Sequence, residues 1–543
     1  MQGEQLVHKA SGSVFSCLNF VRVLWEKYRC SAFAGLFYGV VLYSLLMSQQ
    51  LTNTFDGLAI QNFYHADFAE LSSGRWALAF IDRVLMGVHA DPIVSVVALA
   101  LFVVGFLLVL DLFNLKGKTE CLLCLALFIS STTVSITLSY RYTSLGYGLA
   151  CFLAISGIYA VVRIKRNGIA VGIGGVLLGL SISCYQAYAA VFFVIAVFYA
   201  IFQCKEVASV DGKPLSKAGS LYLLRVFFSL CVGALFYAVS LSLALKLSKV
   251  SLSDYNGIGQ MSIRGVLTNL AGNVLKAYQY FIAYFFKDTL KINRLQSYGI
   301  FYVLLALLIG MIVVIAVKVW KKDKKRMPLL LIATAGIPLA ANAYMLLASD
   351  KMELQMTAGL AMVVPLIMIV AFSFTREKPL AKMLCIALCV ALTYGSSVQV
   401  WMDQEGMYEG QNACDTMITQ VICDLREEGW LSPDYEYFFV GVPEENPLFE
   451  VSDVYYCANA YAQMGRFWVS GNCLQGAYKG VIKRMGIALP ESNLVYEDIA
   501  GKIDVSGMPM FPFEGYIELL DGGVVVIKIA ENNPYTGGCK YVY

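Results

Sequence analysis

Between Thr52 and Trp76 the sequence TNTFDGLAIQNFYHADFAELSSGRW gathers Asp56, His65, Asp67, Glu70 and Arg75, directly after the first long apolar segment. A carboxylate at a membrane surface can act as general base on a hydroxyl. Cleaving an ordinary glycosidic bond calls for a second carboxyl, because the departing alkoxide must be protonated. A sugar carried on a lipid phosphate needs only one, since phosphate leaves readily without a proton. The second requirement is then positive charge against that phosphate in a partly dry pocket. Asp56 and Glu70 are the candidate bases. Arg75, and Arg141 in LSYRYTSLGYG, are candidate phosphate ligands, together with Lys249, Arg264, Lys276, Lys287, Lys291 and Arg294 of the stretch 247–296. Plainer roles stand beside these. Asp56 suits a helix cap, Asp67 and Glu70 a solvated face, Arg75 a headgroup anchor, and the basic stretch an amphipathic helix on anionic lipid.

The elements that must position these groups are mostly membrane helices. Of 543 residues 58% are hydrophobic and only 15% charged, and the mean hydropathy is +0.65. A soluble domain carries about a quarter charged residues, so one aqueous core is excluded. Eleven runs approach or exceed the ~20 apolar residues a bilayer span needs: 30–51, 92–114, 121–139, 143–162, 168–184, 187–203, 223–246, 297–318, 328–348, 354–374 and 380–401. Lys and Arg set their orientation. Lys27/Arg29, Lys116/Lys118, Arg163/Lys165/Arg166, Lys205/Lys213/Lys217, the run Lys321–Arg326, and Arg376/Lys378 fall on one face, which is therefore read as cytoplasmic. Residues 1–29 read as a cytoplasmic amphipathic segment, 30–402 as the transmembrane domain, and 403–543 as lying outside. The first external loop, 52–91, has helical spacing broken at SSG, which predicts two short interfacial helices. SCYQAY (Ser183–Tyr188) reads as a tight external turn or a partly re-entrant bend, where Tyr185 and Gln186 either bind sugar or pack between helices.

After Trp401 the texture turns polar. YEYFFVGV, YIELL and VVVIKI are strand-like, Asp521-Gly522 is a hairpin signal, and CDTMITQVICDLREEGW has helical spacing. A small α+β domain is expected. Cys121 and Cys124 form a lone C-x-x-C with no second pair and no nearby His, and read as packed side chains. Cys414, Cys423, Cys457, Cys473 and Cys539 leave at least one thiol unpaired within the outer domain.

Together TFDG, SGRW, SCYQAY and the closing MPMFPFEGYIELLDGGVVVIKI resemble the membrane glycosyltransferases of the GT-C fold, and more narrowly the serotype-converting type II glucosyltransferases of bacteria and their phages. The resemblance implies a polytopic α-helical GT-C-like protein of the bacterial cytoplasmic membrane. It implies transfer of glucose from an undecaprenyl-phosphate carrier to a surface glycan, with inversion. By this likeness Asp56 takes the position of the base. Gly57 stands where related loops carry a second acid, which leaves Glu70 to share or own that role. Arg75 and Trp76 match the family's Gly-Arg-Trp, and Lys528 falls on a basic position of the last strand, for acceptor or phosphate; a solvated strand residue is its alternative. The expected partners are a polyprenyl-phosphate-linked sugar, a glycan acceptor and the bilayer, with no nucleic acid. No cofactor or metal is expected, although some related folds place a divalent ion beside their acids. A glycolipid flippase is the rival reading; it would want ionisable residues near the bilayer midplane. A glycan-binding receptor is a third, and leaves the acidic first loop unexplained.

Overall fold

The computed structural model describes residues 2–54, 56–59, 69–207, 216–253, 263–287, 298–346, 354–467, 471–490, 504–520 and 522–531. From the N-terminus come α1 (Gln2–Leu42), the short α2 (Ser44–Ser48) and three short helices, α3 (Asp56–Ala59), α4 (Ala69–Ser72) and α5 (Trp76–Val84). Apolar helices follow: α6 (Ile93–Leu112), α7 (Lys118–Ile129), α8 (Thr132–Ser139), α9 (Arg141–Arg163), α10 (Asn167–Cys184), α11 (Ala189–Val207) and α12 (Ser216–Ser248). Next are α13 (Ile263–Phe286), α14 (Tyr298–Lys322), α15 (Met327–Ala335), α16 (Ile337–Ala341), α17 (Ala358–Thr375) and α18 (Pro379–Glu427). The last part holds β1 (Glu436–Val440), α19 (Asp453–Cys457), α20 (Gly471–Arg484), β2 (Ile517–Leu520) and β3 (Val524–Lys528).

Among the described residues eight helices are long and apolar enough to cross a membrane, and nine if α7 and α8, bent by 51°, form one span. All eleven apolar runs fall largely in helix, but three are interrupted. The first leaves α1 at Leu42 and turns at Tyr43, whose hydroxyl donates to the Ile129 carbonyl at 2.7 Å. The third bends at Ser130–Ser131. The ninth breaks at Gly336 and again at Asn342, with Pro338 between them unable to donate to the helix ladder. Two of the cations predicted to share a face, Lys27 and Arg163, meet at one end of the bundle. Asp111 pairs with Lys27 at 2.7 Å and Arg163 at 3.1 Å, and Glu120 with Lys382.

Small residues set the packing that matters most for the site. A Cβ on Gly175 would lie 2.6 Å from Val232, and one on Gly179 2.8 Å from the Gly233 carbonyl. With no side chain between them the backbones of α10 and α12 run in contact. That seam brings Gln186, just past the end of α10, beside Tyr237, one turn beyond Gly233 on α12.

The expected turn signals hold. SSG separates α4 from α5, and SCYQAY makes a 3-10 turn over Gln186–Tyr188. All three strand-like stretches form strands, in the order β1-β3-β2, with β1 parallel and β2 antiparallel to β3. Gly522 and Gly523, at φ +93° and +78°, turn the hairpin. The helix α18 runs unbroken for 49 residues through the expected boundary at 402/403. Its side chains as far as Met407 pack with the bundle, and those from Cys414 to Leu425 pack with the C-terminal sheet and α20. Leu58 of α3 joins this second core, so the first loop is seated on the C-terminal unit. Cys121 and Cys124 are buried, and Cys414, Cys423 and Cys457 are free thiols. Cys539 lies outside the described residues, as does the side chain of Cys473.

Candidate active site

SGRW and SCYQAY, quoted from distant parts of the chain, meet. The amide of Gln186 donates to the Ser73 carbonyl at 2.9 Å and lies 3.3 Å from the Tyr237 hydroxyl, which itself donates to the Gly74 carbonyl at 3.1 Å. Ser253, just after α12, donates its N–H to the Ser72 carbonyl at 3.0 Å. Gly74 is required here twice over. Its φ is +81°, and a Cβ would stand 2.5 Å from the Tyr237 hydroxyl. An L-residue with a side chain pays in both conformation and contact.

This clamp fixes Arg75. Its guanidinium lies over the Tyr185 ring, 4.7 Å from the centroid, and Nη1 donates to Glu70 Oε2 at 3.0 Å. The two charged side chains are 14% and 7% exposed, so the pair sits in a largely dry setting. Tyr185 is in turn stacked on Tyr147 at 4.4 Å. Glu70, Arg75, Tyr185 and Gln186 thus form one constellation. Trp76 opens α5 beside it, half-buried, and its indole N–H is buried without a hydrogen-bond partner among the described residues. Glu70 is engaged with Arg75, which makes it the cation's orienting partner in this arrangement.

Asp56 opens α3, and its side chain lies outside the described residues, as do His65 and Asp67. The turn that carries it is well anchored. Thr52 Oγ1 and the Asn53 amide both donate to the Ser139 carbonyl at 3.1 Å, and Thr54 N–H donates to the Tyr461 carbonyl at 2.9 Å. The Asp-Gly pair has a steric cause: a Cβ at Gly57 would fall 1.8 Å from Thr52 Oγ1. A second acid after Asp56 has no room.

Arg141 is placed elsewhere. Its Nε pairs with Asp91 at 2.9 Å, and its terminal nitrogens donate to the Gln50 carbonyl at 3.0 Å and the His89 carbonyl at 3.4 Å. His89 pairs with Asp82 at 2.9 Å, both 2% exposed. The guanidinium expected on phosphate ties the end of the first loop to α9. Lys528 differs from the solvated strand residue that was its alternative. It is 2% exposed rather than solvated, and Nζ donates to the carbonyls of Val505, at 3.2 Å, and Met508, at 2.6 Å, and pairs with Glu531. It holds the 505–508 segment over β3. In the basic stretch, α13 forms as a helix, while Lys291, Arg294 and the side chain of Arg264 lie outside the described residues. Among the described residues no three His, Cys, Asp or Glu side chains gather as a metal site.

Sequence reading missed Tyr237, Asp91 and Asp403. The spacing Gly175-x-x-x-Gly179 opposite Gly233 was the available signal for Tyr237, because a small-residue seam marks where two helices touch. Asp91 and Asp403 carried no local signal. No curated protein matches the chain. Residues 53–395 match the family described as Glucosyl transferase GtrII, a stretch that includes both the acid-bearing turn and the Arg75 constellation; the chain belongs to this glucosyltransferase family.

Proposed function

We propose that this glucosyltransferase takes glucose from a polyprenyl-phosphate carrier and passes it, with inversion, to a cell-surface glycan on the outer face of the bacterial cytoplasmic membrane. The acceptor hydroxyl oxygen attacks the anomeric carbon. The bond from that carbon to the phosphate oxygen breaks, and its electron pair leaves with the phosphate. The hydroxyl proton passes to Asp56. Attack opposite the leaving group inverts the anomeric centre, and no second carboxyl is needed.

The observation that carries this reading is the immobilised guanidinium of Arg75, held between Glu70 and the Tyr185 face at the end of the α10–α12 seam. A preoriented cation in a dry site costs no reorganisation when the phosphate develops its charge. The engagement of Glu70 with Arg75 favours Asp56 as base. Trp76, with its buried N–H, is assigned to sugar or phosphate, and Tyr185 and Gln186 to holding Arg75 and the loop. Arg141 and Lys528 act as anchors of loop and outer domain in this scheme. The chain is read as GT-C-like, with residues 1–29 cytoplasmic, 30–402 in the membrane and 403–543 outside.

The test uses purified full-length protein in detergent, a short-chain isoprenyl-phosphate glucose and isolated surface glycan. A new glycosidic bond of inverted anomeric configuration is expected. Transfer only from a nucleotide sugar, or retention of configuration, would refute the reading.

A further inference from the structure

The carboxylate of Asp403 is fully buried on α18, and among the described residues no cation pairs with it. Hydrogen bonds satisfy it instead. Gln399 Nε2 donates at 3.0 Å, Asn459 N–H at 2.8 Å, Asn459 Nδ2 at 3.1 and 2.9 Å to the two oxygens, and the Tyr461 hydroxyl at 2.7 Å. A buried carboxylate without these bonds would be strongly unfavourable. With them it fixes the segment 459–461 in one geometry.

That segment grips the acid-bearing turn. With its one O–H directed to Asp403, the Tyr461 hydroxyl accepts a hydrogen bond from the Ser135 hydroxyl of α8 at 2.8 Å. The Tyr461 carbonyl accepts the Thr54 N–H at 2.9 Å, and the Arg466 carbonyl accepts Thr54 Oγ1 at 3.0 Å. On the other side the Ser139 carbonyl, one turn along α8 from Ser135, holds Thr52 and Asn53. The two grips on residues 52–54 are therefore bonded to each other through one phenol. Asp56 follows two residues later, and Leu58 is buried in the second core.

We infer that Asp403 and Tyr461 are positioning residues for the reaction: through Thr54 they hold Asp56 in place, so that the C-terminal unit completes the active site. This rests on Asp56 being the base. The orienting network acts through backbone carbonyls, so its removal should alter the placement of the base more than the affinity for donor.

The experiment measures kcat and donor KM of full-length Tyr461→Phe, Asp56→Asn and the double variant, per mole of folded protein, with the short-chain donor and isolated glycan. Tyr461→Phe should lower kcat at least tenfold with KM within twofold, and should cause no further loss in the Asp56→Asn background. Tyr478→Phe, which removes another buried hydroxyl bond of the outer domain, 2.8 Å to the Gly441 carbonyl, should leave kcat within twofold. Should Tyr461→Phe fail to fold, Ser135→Ala removes only the bond to the phenol, and a threefold or greater fall in kcat is expected. A kcat within twofold of wild type in Tyr461→Phe, or in Ser135→Ala where that variant stands in, alongside an inactive Asp56→Asn, overturns the inference and leaves the base intact. Multiplicative loss in the double variant overturns it too. A wild-type rate in Asp56→Asn removes the base, and the inference with it.

Discussion

Replacing Glu70 by Gln separates the two acids of the first loop. Glu70 accepts a charge-assisted hydrogen bond from Arg75 at 3.0 Å, with both side chains nearly buried. Bonds to charged groups contribute about 1.5–3 kcal/mol. Gln keeps the shape and one acceptor oxygen, so about 1–2 kcal/mol of the orienting interaction is lost. If that loss appears in full in the transition state, kcat/KM falls about 5- to 30-fold. Removing a general base is a larger perturbation, about 10²- to 10⁴-fold. Glu70→Gln and Asp56→Asn should thus differ by at least about threefold in kcat/KM, and by far more over most of these ranges. The assay is initial-rate transfer of glucose from a short-chain isoprenyl-phosphate donor to isolated glycan, with both variants matched for folded protein. A Glu70→Gln rate down more than a hundredfold with donor KM unchanged, beside an active Asp56→Asn, would refute the assignment and make Glu70 the base.

The other predictions follow from single contacts. Gly74→Ala forces a Cβ into a left-handed residue, about 1–2 kcal/mol, and against the Tyr237 hydroxyl at 2.5 Å; activity should fall about tenfold or more, and adding Tyr237→Phe should recover part of it by opening space. Tyr185→Leu removes the ring under Arg75, a contact of about 0.5–2 kcal/mol, and should raise donor KM, whereas Tyr185→Phe keeps the face and should stay within about threefold. Lys528→Met leaves the Met508 carbonyl without its donor, at about 1–3 kcal/mol, and the Val505 carbonyl with the Met508 N–H alone; thermal unfolding of the C-terminal unit should shift down while donor KM stays constant.

Local signals were legible in the sequence and long-range ones were not. Hydropathy and turn chemistry act over a few residues, which is why the apolar runs, the SSG break and the Asp521-Gly522 hairpin could be placed. The helix breaks at Tyr43, Ser130 and Gly336 were hidden, because hydropathy continues through them while hydrogen bonding does not. In the site, the residues of SGRW and SCYQAY were found, but their meeting depends on the packing of Gly175 and Gly179 on Gly233; the Gly-x-x-x-Gly spacing marks a helix contact without naming the partner helix. Lys528 shows the same limit. Strand alternation gives its face, but the cover supplied by the Val505 and Met508 carbonyls comes from a segment about twenty residues earlier. For Glu70 and Arg141 a sequence shows the charge without showing the partner, Arg75 and Asp91 respectively, that pairs with it.

The unbroken α18 has a mechanical consequence. At about 1.5 Å per residue its 49 residues make a strut about 70 Å long, of which a bilayer core of about 30 Å takes less than half. Along α18 no break separates the helical bundle from the C-terminal sheet, so the sheet stands at a set distance and azimuth from the bundle. Lengthening the strut by four residues would lift the sheet about 6 Å and rotate it about 40°, tearing Thr54 from Tyr461. The acceptor must therefore come to a fixed platform, rather than be fetched by a swinging arm.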